Sequence, residues 1–190
     1  MRGLVLALGL CILPLAGCGA KDAAEAPRAS IKIGGPFNLI DQDGKPVTEK
    51  SLLGKPTAVF FGFTYCPEVC PTTLADLTAS LQALGRDADK LNVVLISVDP
   101  ERDTPQQLKL YLSNFDPHIR GFTGTPDEIA KTAKAYRVYY QKAPQDGGEY
   151  TIDHSSAIYL FDRQGNFVEP IGYQTPPDRA LAQLRRLLAR

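Results

Sequence analysis

Residues 57–63, TAVFFGF, form an apolar, β-favouring run with no polar alternation. A strand with one wet face alternates apolar and polar side chains, so an unbroken run of this kind belongs mid-sheet, covered on both faces. Such a strand needs layers packed on either side of it. The next segment supplies the first layer. Leu74, Leu77, Leu81 and Leu84 recur at helical spacing, one apolar stripe that ends at Gly85, and Pro71 suits the first turn of that helix. Between strand and helix lie Cys66 and Cys70, three residues apart in the count of intervening positions and each followed by a proline.

The rest of the chain extends this β–α beginning. Residues 37–55 read as two short strands joined by an Asp43-Gly44 turn, an N-terminal β-hairpin. Residues 92–100, NVVLISVDP, read as a second buried strand closed by Asp99-Pro100. Asp103-Thr104-Pro105 and Thr125-Pro126 are helix starts, for segments running to about residue 115 and residue 137. Val138-Tyr139-Tyr140 reads as a short strand, and residues 141–151 as a loop. Residues 155–162 and 167–173 form a hairpin across Arg163-Gln164-Gly165-Asn166, and residues 177–190 form a last amphipathic helix. The order predicts an α/β fold: a central mixed sheet, helices on both faces and an N-terminal β-hairpin. A thioredoxin-like fold has this outline, with its cysteines after the first central strand and at the head of the first long helix.

The N-terminus stands apart. Arg2 is followed by an apolar run of about 15 residues, shaped like a signal peptide and short for a membrane span. Its end, Leu15-Ala16-Gly17-Cys18, resembles a bacterial lipobox, in which Cys18 carries lipid and becomes the first residue of the mature chain; ordinary secretory cleavage nearby is the alternative. Acyl chains on Cys18 would anchor the protein to the membrane, at roughly 0.8 kcal/mol per buried CH₂. The reading divides the chain into a signal peptide (1–17), an Ala-rich lipid anchor and flexible tether (18–32) and one domain (33–190), placed on the periplasmic side of a bacterial cell envelope. With 21 basic and 21 acidic residues there is no electrostatic signature of nucleic-acid binding.

Cleavage changes the cysteine arithmetic. Cys11 leaves with the signal and Cys18 carries lipid, so Cys66 and Cys70 are the only thiols of the exported domain. Outside the cytoplasm such a pair is oxidised unless it is reduced or holds a metal. Cys70 lies near a helix N-terminus, where the helix dipole is expected to lower a thiol pKa. A structural zinc site wants four ligands, and no second close pair of Cys or His is present. Two thiolates and one imidazole make a three-coordinate site that favours Cu(I) and can also hold Cu(II). His154 precedes a core strand that a thioredoxin-like layout brings to the cysteines, whereas His118 reads as a solvated loop residue. Asp153 is positioned to orient His154, or to form a turn; Asp99 to line the site edge, or to cap its own turn. Tyr65, beside Cys66, either shields the site or packs on the loop.

Three segments carry a resemblance. GFTYCPEVCPTTL (62–74), ISVDPERDTP (96–105) and DHSSAIYLFD (153–162) are similar to those of the Sco/SenC proteins, thioredoxin-like, membrane-anchored copper proteins that assemble the CuA centre of cytochrome c oxidase. The likeness covers about residues 37–188. It implies that Cys66, Cys70 and His154 bind copper and that Cys66 and Cys70 are redox-active. It also implies a metallochaperone whose partner is the CuA-bearing oxidase subunit, with other periplasmic copper chaperones and thiol reductases as further partners. The family's usual anchor is a transmembrane helix; the lipobox here is a variation.

Two other chemistries compete. Thioredoxin-class oxidoreductases usually carry C-x-x-C and a proline before the strand that faces it; here three residues intervene and Asp153-His154 occupies that slot. A C-x-x-x-C pair still closes a disulfide, so a thiol-disulfide oxidoreductase that reduces partner cysteines is the alternative. A peroxiredoxin site needs Thr three and Pro seven residues before its cysteine, and relative to Cys70 those positions hold Pro67 and Phe63. Copper storage lacks its ligands, since Met1 is the only methionine.

Overall fold

The computed structural model describes residues 32–190. The expected signal peptide (1–17), all but the last residue of the expected tether, and Cys18 lie outside the described residues.

In chain order the strands are β1 (Asn38–Asp41), β2 (Pro46–Thr48), β3 (Thr57–Gly62), β4 (Asn92–Ser97), β5 (Ile119–Thr123), β6 (Tyr140–Pro144), β7 (Tyr150–His154), β8 (Ile158–Phe161) and β9 (Phe167–Ile171). The helices are α1 (Val69–Leu84), α2 (Pro105–Leu112), α3 (Pro126–Tyr136) and α4 (Pro177–Leu188). Seven strands form one mixed sheet in the order β2-β1-β5-β4-β3-β8-β9. β3 runs parallel to β4 and antiparallel to β8, and all six of its residues are buried. The unbroken apolar run thus lies inside the sheet.

Strand alternation shows what covers it. Val59 and Phe61 face the α3 side, where the Phe61 ring lies 5.4 Å from that of Tyr136. Phe60 and Gly62 face the opposite side, where a Cβ built on Gly62 would lie 2.8 Å from Cys70 Sγ in α1. α4 packs beside α1, and Leu108 and Leu112 of α2 pack over Gly121 of β5. Helices therefore cover both faces of the mixed sheet. The helix starts form as expected: the Thr104 hydroxyl accepts from Gln107 N at 3.2 Å, and Thr125 with Glu128 closes a capping box.

Four expectations need correction. Residues 119–123, which follow the His118 loop and carry no expected element, form β5, whose Gly121 and Arg120 dilute the apolar signal. Residues 141–151 are not a loop. Residues 141–144 and 150–151 belong to a hairpin of β6 and β7 in which Ile152 is the one buried residue, so no apolar alternation marked it. The short strand expected at 138–140 begins only at Tyr140. Lastly, α2 ends at Leu112 rather than near residue 115, because the Ser113 hydroxyl donates back to the Leu110 carbonyl at 2.7 Å.

Candidate metal centre

The chain leaves β3 at Gly62 and turns at once, with Cys66 N donating to the Phe63 carbonyl at 3.3 Å. α1 then begins at Val69, so Cys70 sits in its first turn. The residue before the helix, Glu68, makes no side-chain cap. Instead Cys70 N donates to Cys66 Sγ at 3.3 Å, and the first sulfur serves the helix end that carries the second. Gly62 makes room for this, because a side chain there would collide with Cys70 Sγ and with Phe60.

His154 ends β7. Its Nε2 lies 3.5 Å from Cys70 Sγ, and its ring meets Phe60 and Phe63 edge-on at 6.1 and 5.7 Å between centroids. Its Nδ1 is 2.9 Å from the Ser155 carbonyl oxygen. A carbonyl only accepts, so Nδ1 carries the proton and Nε2 presents a lone pair toward the sulfurs. Second groups of this kind orient metal-bound histidines. Asp153 points the other way, exposed on the opposite face of β7.

Cys66 Sγ, Cys70 Sγ and a ring nitrogen of His154 all lie within 4.8 Å of one another, the one three-donor cluster of His, Cys, Asp or Glu among the described residues. Cys70 is wholly buried, Cys66 and His154 half-buried. The two thiols are free and unequal. A hydrogen bond from the Cys70 thiol, aided by backbone N–H donors, pushes the Cys66 thiol down to about 4 against the cost of its burial. Cys70 is pushed up, first by holding the proton it shares with Cys66 and then by burial. The low thiol is therefore Cys66 and not, as the helix dipole alone predicts, Cys70. Two sulfurs sharing one proton beside an imidazole nitrogen form a soft donor set open to a cation.

Carboxylates brace the cluster from outside. Asp103, fully buried, accepts from Thr64 N at 3.0 Å and from the hydroxyls of Thr64 and Ser97, each at 2.6 Å, which ties the start of the cysteine loop to β4. Asp99 is also fully buried; its carbonyl closes the turn to Arg102 and Asp103, and its carboxylate binds Arg102 and Tyr150. Tyr65 is 57% exposed, beside the Arg102 guanidinium. His118 is bridged between Asp116 and Asp89, away from the cluster. Sequence reasoning did not single out Gly62, Ser155, Arg102, Asp103 or Tyr150. For Arg102 and Asp103 the signal was present, a run of charges at the carboxyl end of a buried strand; for Tyr150 the misread loop hid it.

Comparison with known proteins agrees with this geometry. The family model described as SCO1/SenC matches residues 25–189. "Protein SCO1 homolog 1, mitochondrial" of Arabidopsis thaliana is 46% identical over 153 residues, 80% of this chain and 45% of its own length. This chain spans about half the length of the first curated relatives it matches, at 45%, 56% and 52%. Among solved structures, Bradyrhizobium japonicum ScoI with copper bound superposes with a TM-score of 0.77 at 57% identity, covering 82% of this chain and 99% of that one. BsSco, described as a member of the Sco family of cytochrome c oxidase assembly proteins with a disulfide switch, superposes at 0.66 with 28% identity, covering 83% and 95%.

Proposed function

This chain belongs to the SCO1/SenC family, and from that premise we propose that it is an exported copper metallochaperone that binds one copper ion through Cys66, Cys70 and His154 and delivers it to the CuA site of cytochrome c oxidase. The observation that carries the reading is the convergence of two sulfurs and an imidazole nitrogen within 4.8 Å, with the imidazole tautomer set by the Ser155 carbonyl. The copper-bound state of a relative at 57% identity supports copper as the cargo.

Three ligands leave copper unsaturated, which suits transfer. Cys70 and its helix form the fixed wall of the site, while Cys66, half-buried in the loop, is the ligand an incoming donor meets first. A partner sulfur or imidazole that binds the ion displaces one ligand of this chain at a time. Each freed thiolate regains its neighbours, Cys66 the N–H of Cys70 and Cys70 a shared proton, so the empty site remains organised for reloading. The partner is the CuA-bearing oxidase subunit, with periplasmic copper chaperones as donors and thiol reductases keeping the pair reduced.

The anchor belongs to the same proposal. No helix among the described residues is long and apolar enough to cross a membrane. Acylation of Cys18 would hold the domain on the periplasmic face of the envelope, and mass spectrometry of the membrane-extracted protein is expected to find an acylated Cys18; an unmodified N-terminus at another residue refutes the lipoprotein.

The test is copper stoichiometry and affinity of the purified protein against His154→Ala. One copper per chain and a clear loss in the variant are expected. A variant that binds copper as tightly as the wild type, with high dithiol reductase activity, overturns the chaperone reading. That result would favour the second reading, a thiol-disulfide reductase, for which the specific observation is the accessible Cys66 thiolate next to a protonated, buried Cys70.

A further inference from the structure

His154 does not sit on the sheet that positions the cysteines. β6 and β7 form a two-stranded sheet of their own, outside the seven-stranded one. Tyr150, Ile152 and His154 occupy alternate positions of β7 and share its inner face. Ile152, in the middle, is buried in the core. Tyr150 and His154 flank it, each about 7 Å away along the strand at roughly 3.3 Å per residue. A strand pinned at its centre behaves as a lever: whatever holds the Tyr150 end sets where the imidazole lies at the other.

Arg102 holds that end. Its guanidinium carbon lies 3.8 Å from the Tyr150 ring centroid and 4.7 Å from that of Tyr65. Its Nη1 donates to the Tyr150 carbonyl at 3.1 Å, and its Nε donates to the Asp99 carboxylate. The Tyr150 hydroxyl donates to the other Asp99 oxygen at 2.8 Å, closing a ring of three side chains. One cation thereby joins the residue before Cys66, the turn after β4 and the hairpin that carries His154. Only a planar fork can stack on two rings while bonding a carboxylate and a carbonyl, which a lysine ammonium cannot reproduce.

We propose that Arg102 is a positioning residue for the metal centre, fixing His154 relative to Cys66 and Cys70 through Tyr150 and Tyr65. It makes no hydrogen bond to any of the three donor atoms and acts through Tyr150 on the hairpin and Tyr65 on the cysteine loop. The proposal rests on the copper-site reading above.

The experiment compares the wild-type full chain with Arg102→Gln, Arg102→Lys, Tyr150→Phe and His154→Ala, each loaded with Cu(II). Nitrogen coupling in the electron paramagnetic resonance spectrum reports His154 ligation, and competition titration reports affinity. Wild type should show the coupling and His154→Ala should lack it. Arg102→Gln should still take up one copper, with the coupling diminished and affinity reduced by about 10- to 100-fold, the range for residues that orient metal ligands. Arg102→Lys should fall between, and Tyr150→Phe, which keeps its ring, should lose least. Unchanged coupling and affinity in Arg102→Gln overturn the proposal, as does a lower melting temperature with unchanged coupling, which would make Arg102 a stabiliser only. Should Arg102→Gln not fold, unchanged coupling in both Arg102→Lys and Tyr150→Phe overturns it. A wild type without nitrogen coupling, or His154→Ala indistinguishable from it, refutes the copper-site reading instead.

Discussion

The backbone N–H of Cys70 donates to the sulfur of Cys66 at 3.3 Å, so the two cysteines are linked before any ion or disulfide joins them. The Cys70 thiol first, and this bond with it, favour charge on Cys66 and push it down to about 4, while Cys70 is pushed up and buried. At pH 6 the metal-free, reduced protein should therefore carry a Cys66 thiolate and a Cys70 thiol. Iodoacetamide at that pH should modify Cys66 and spare Cys70 until the chain is denatured, as peptide mass spectrometry can follow. Equal labelling of the two, or labelling of Cys70 first, contradicts the assignment.

Gly62 is the point where sheet and site meet. A methyl group there would lie 2.8 Å from Cys70 Sγ and 3.0 Å from Phe60 Cε1, too close for either to stay in place. Gly62→Ala should destabilise the fold by about 1–3 kcal/mol, the usual cost of overpacking a core. It should also weaken copper binding, because the atom displaced is one of the three proposed ligands. Urea unfolding and copper competition measure the two effects; a variant as stable as wild type that binds copper equally well shows that the site yields without cost.

Thr125 accepts from Glu128 N at 3.3 Å, and Glu128 accepts from Thr125 N at 2.8 Å. Thr125→Ala removes the first bond and the hydroxyl contact to Glu128, for an expected loss of about 1 kcal/mol. The proposed copper site lies elsewhere, so copper affinity should hold. Denaturant midpoints and copper titration of the variant check both halves; a change in copper affinity with no loss of stability contradicts this placement.

How far the fold was legible follows the physics of burial. β3, β4 and the stripe of α1 are hydrophobic because they are covered, and caps such as Thr125-Pro126 announce helices through local bonds; all of these could be read from the chain. β6 and β7 bury only Ile152 between them and owe their form to backbone pairing with each other, which leaves little hydrophobic trace. The same division holds at the site. Cys66, Cys70 and His154 stand out by chemistry and spacing, and the structure brings their donor atoms together. The Ser155 carbonyl that sets the His154 tautomer is a backbone atom any residue could supply, and Arg102 meets the strand of His154 at Tyr150, on a hairpin the sequence did not reveal.

His118 offers a stability test far from that chemistry. Its Nε2 lies 3.0 Å from Asp89 and its Nδ1 2.6 Å from Asp116, and these carboxylates, Asp89 first, raise its pKa above the ordinary 6.5. A raised folded-state pKa means that the folded chain binds the proton more tightly. The stability gained is then fully present below about pH 6.5, the unfolded value, and is lost as pH rises through the folded one. A third of the side chain is exposed, so solvent screening keeps the gain to about 1 kcal/mol or less. His118→Gln should be less stable than wild type at pH 5.5 and close to it at pH 9, with the gap narrowing in high salt. Urea denaturation at the two pH values measures this; an equal gap at both would show that the histidine contributes by packing rather than by charge.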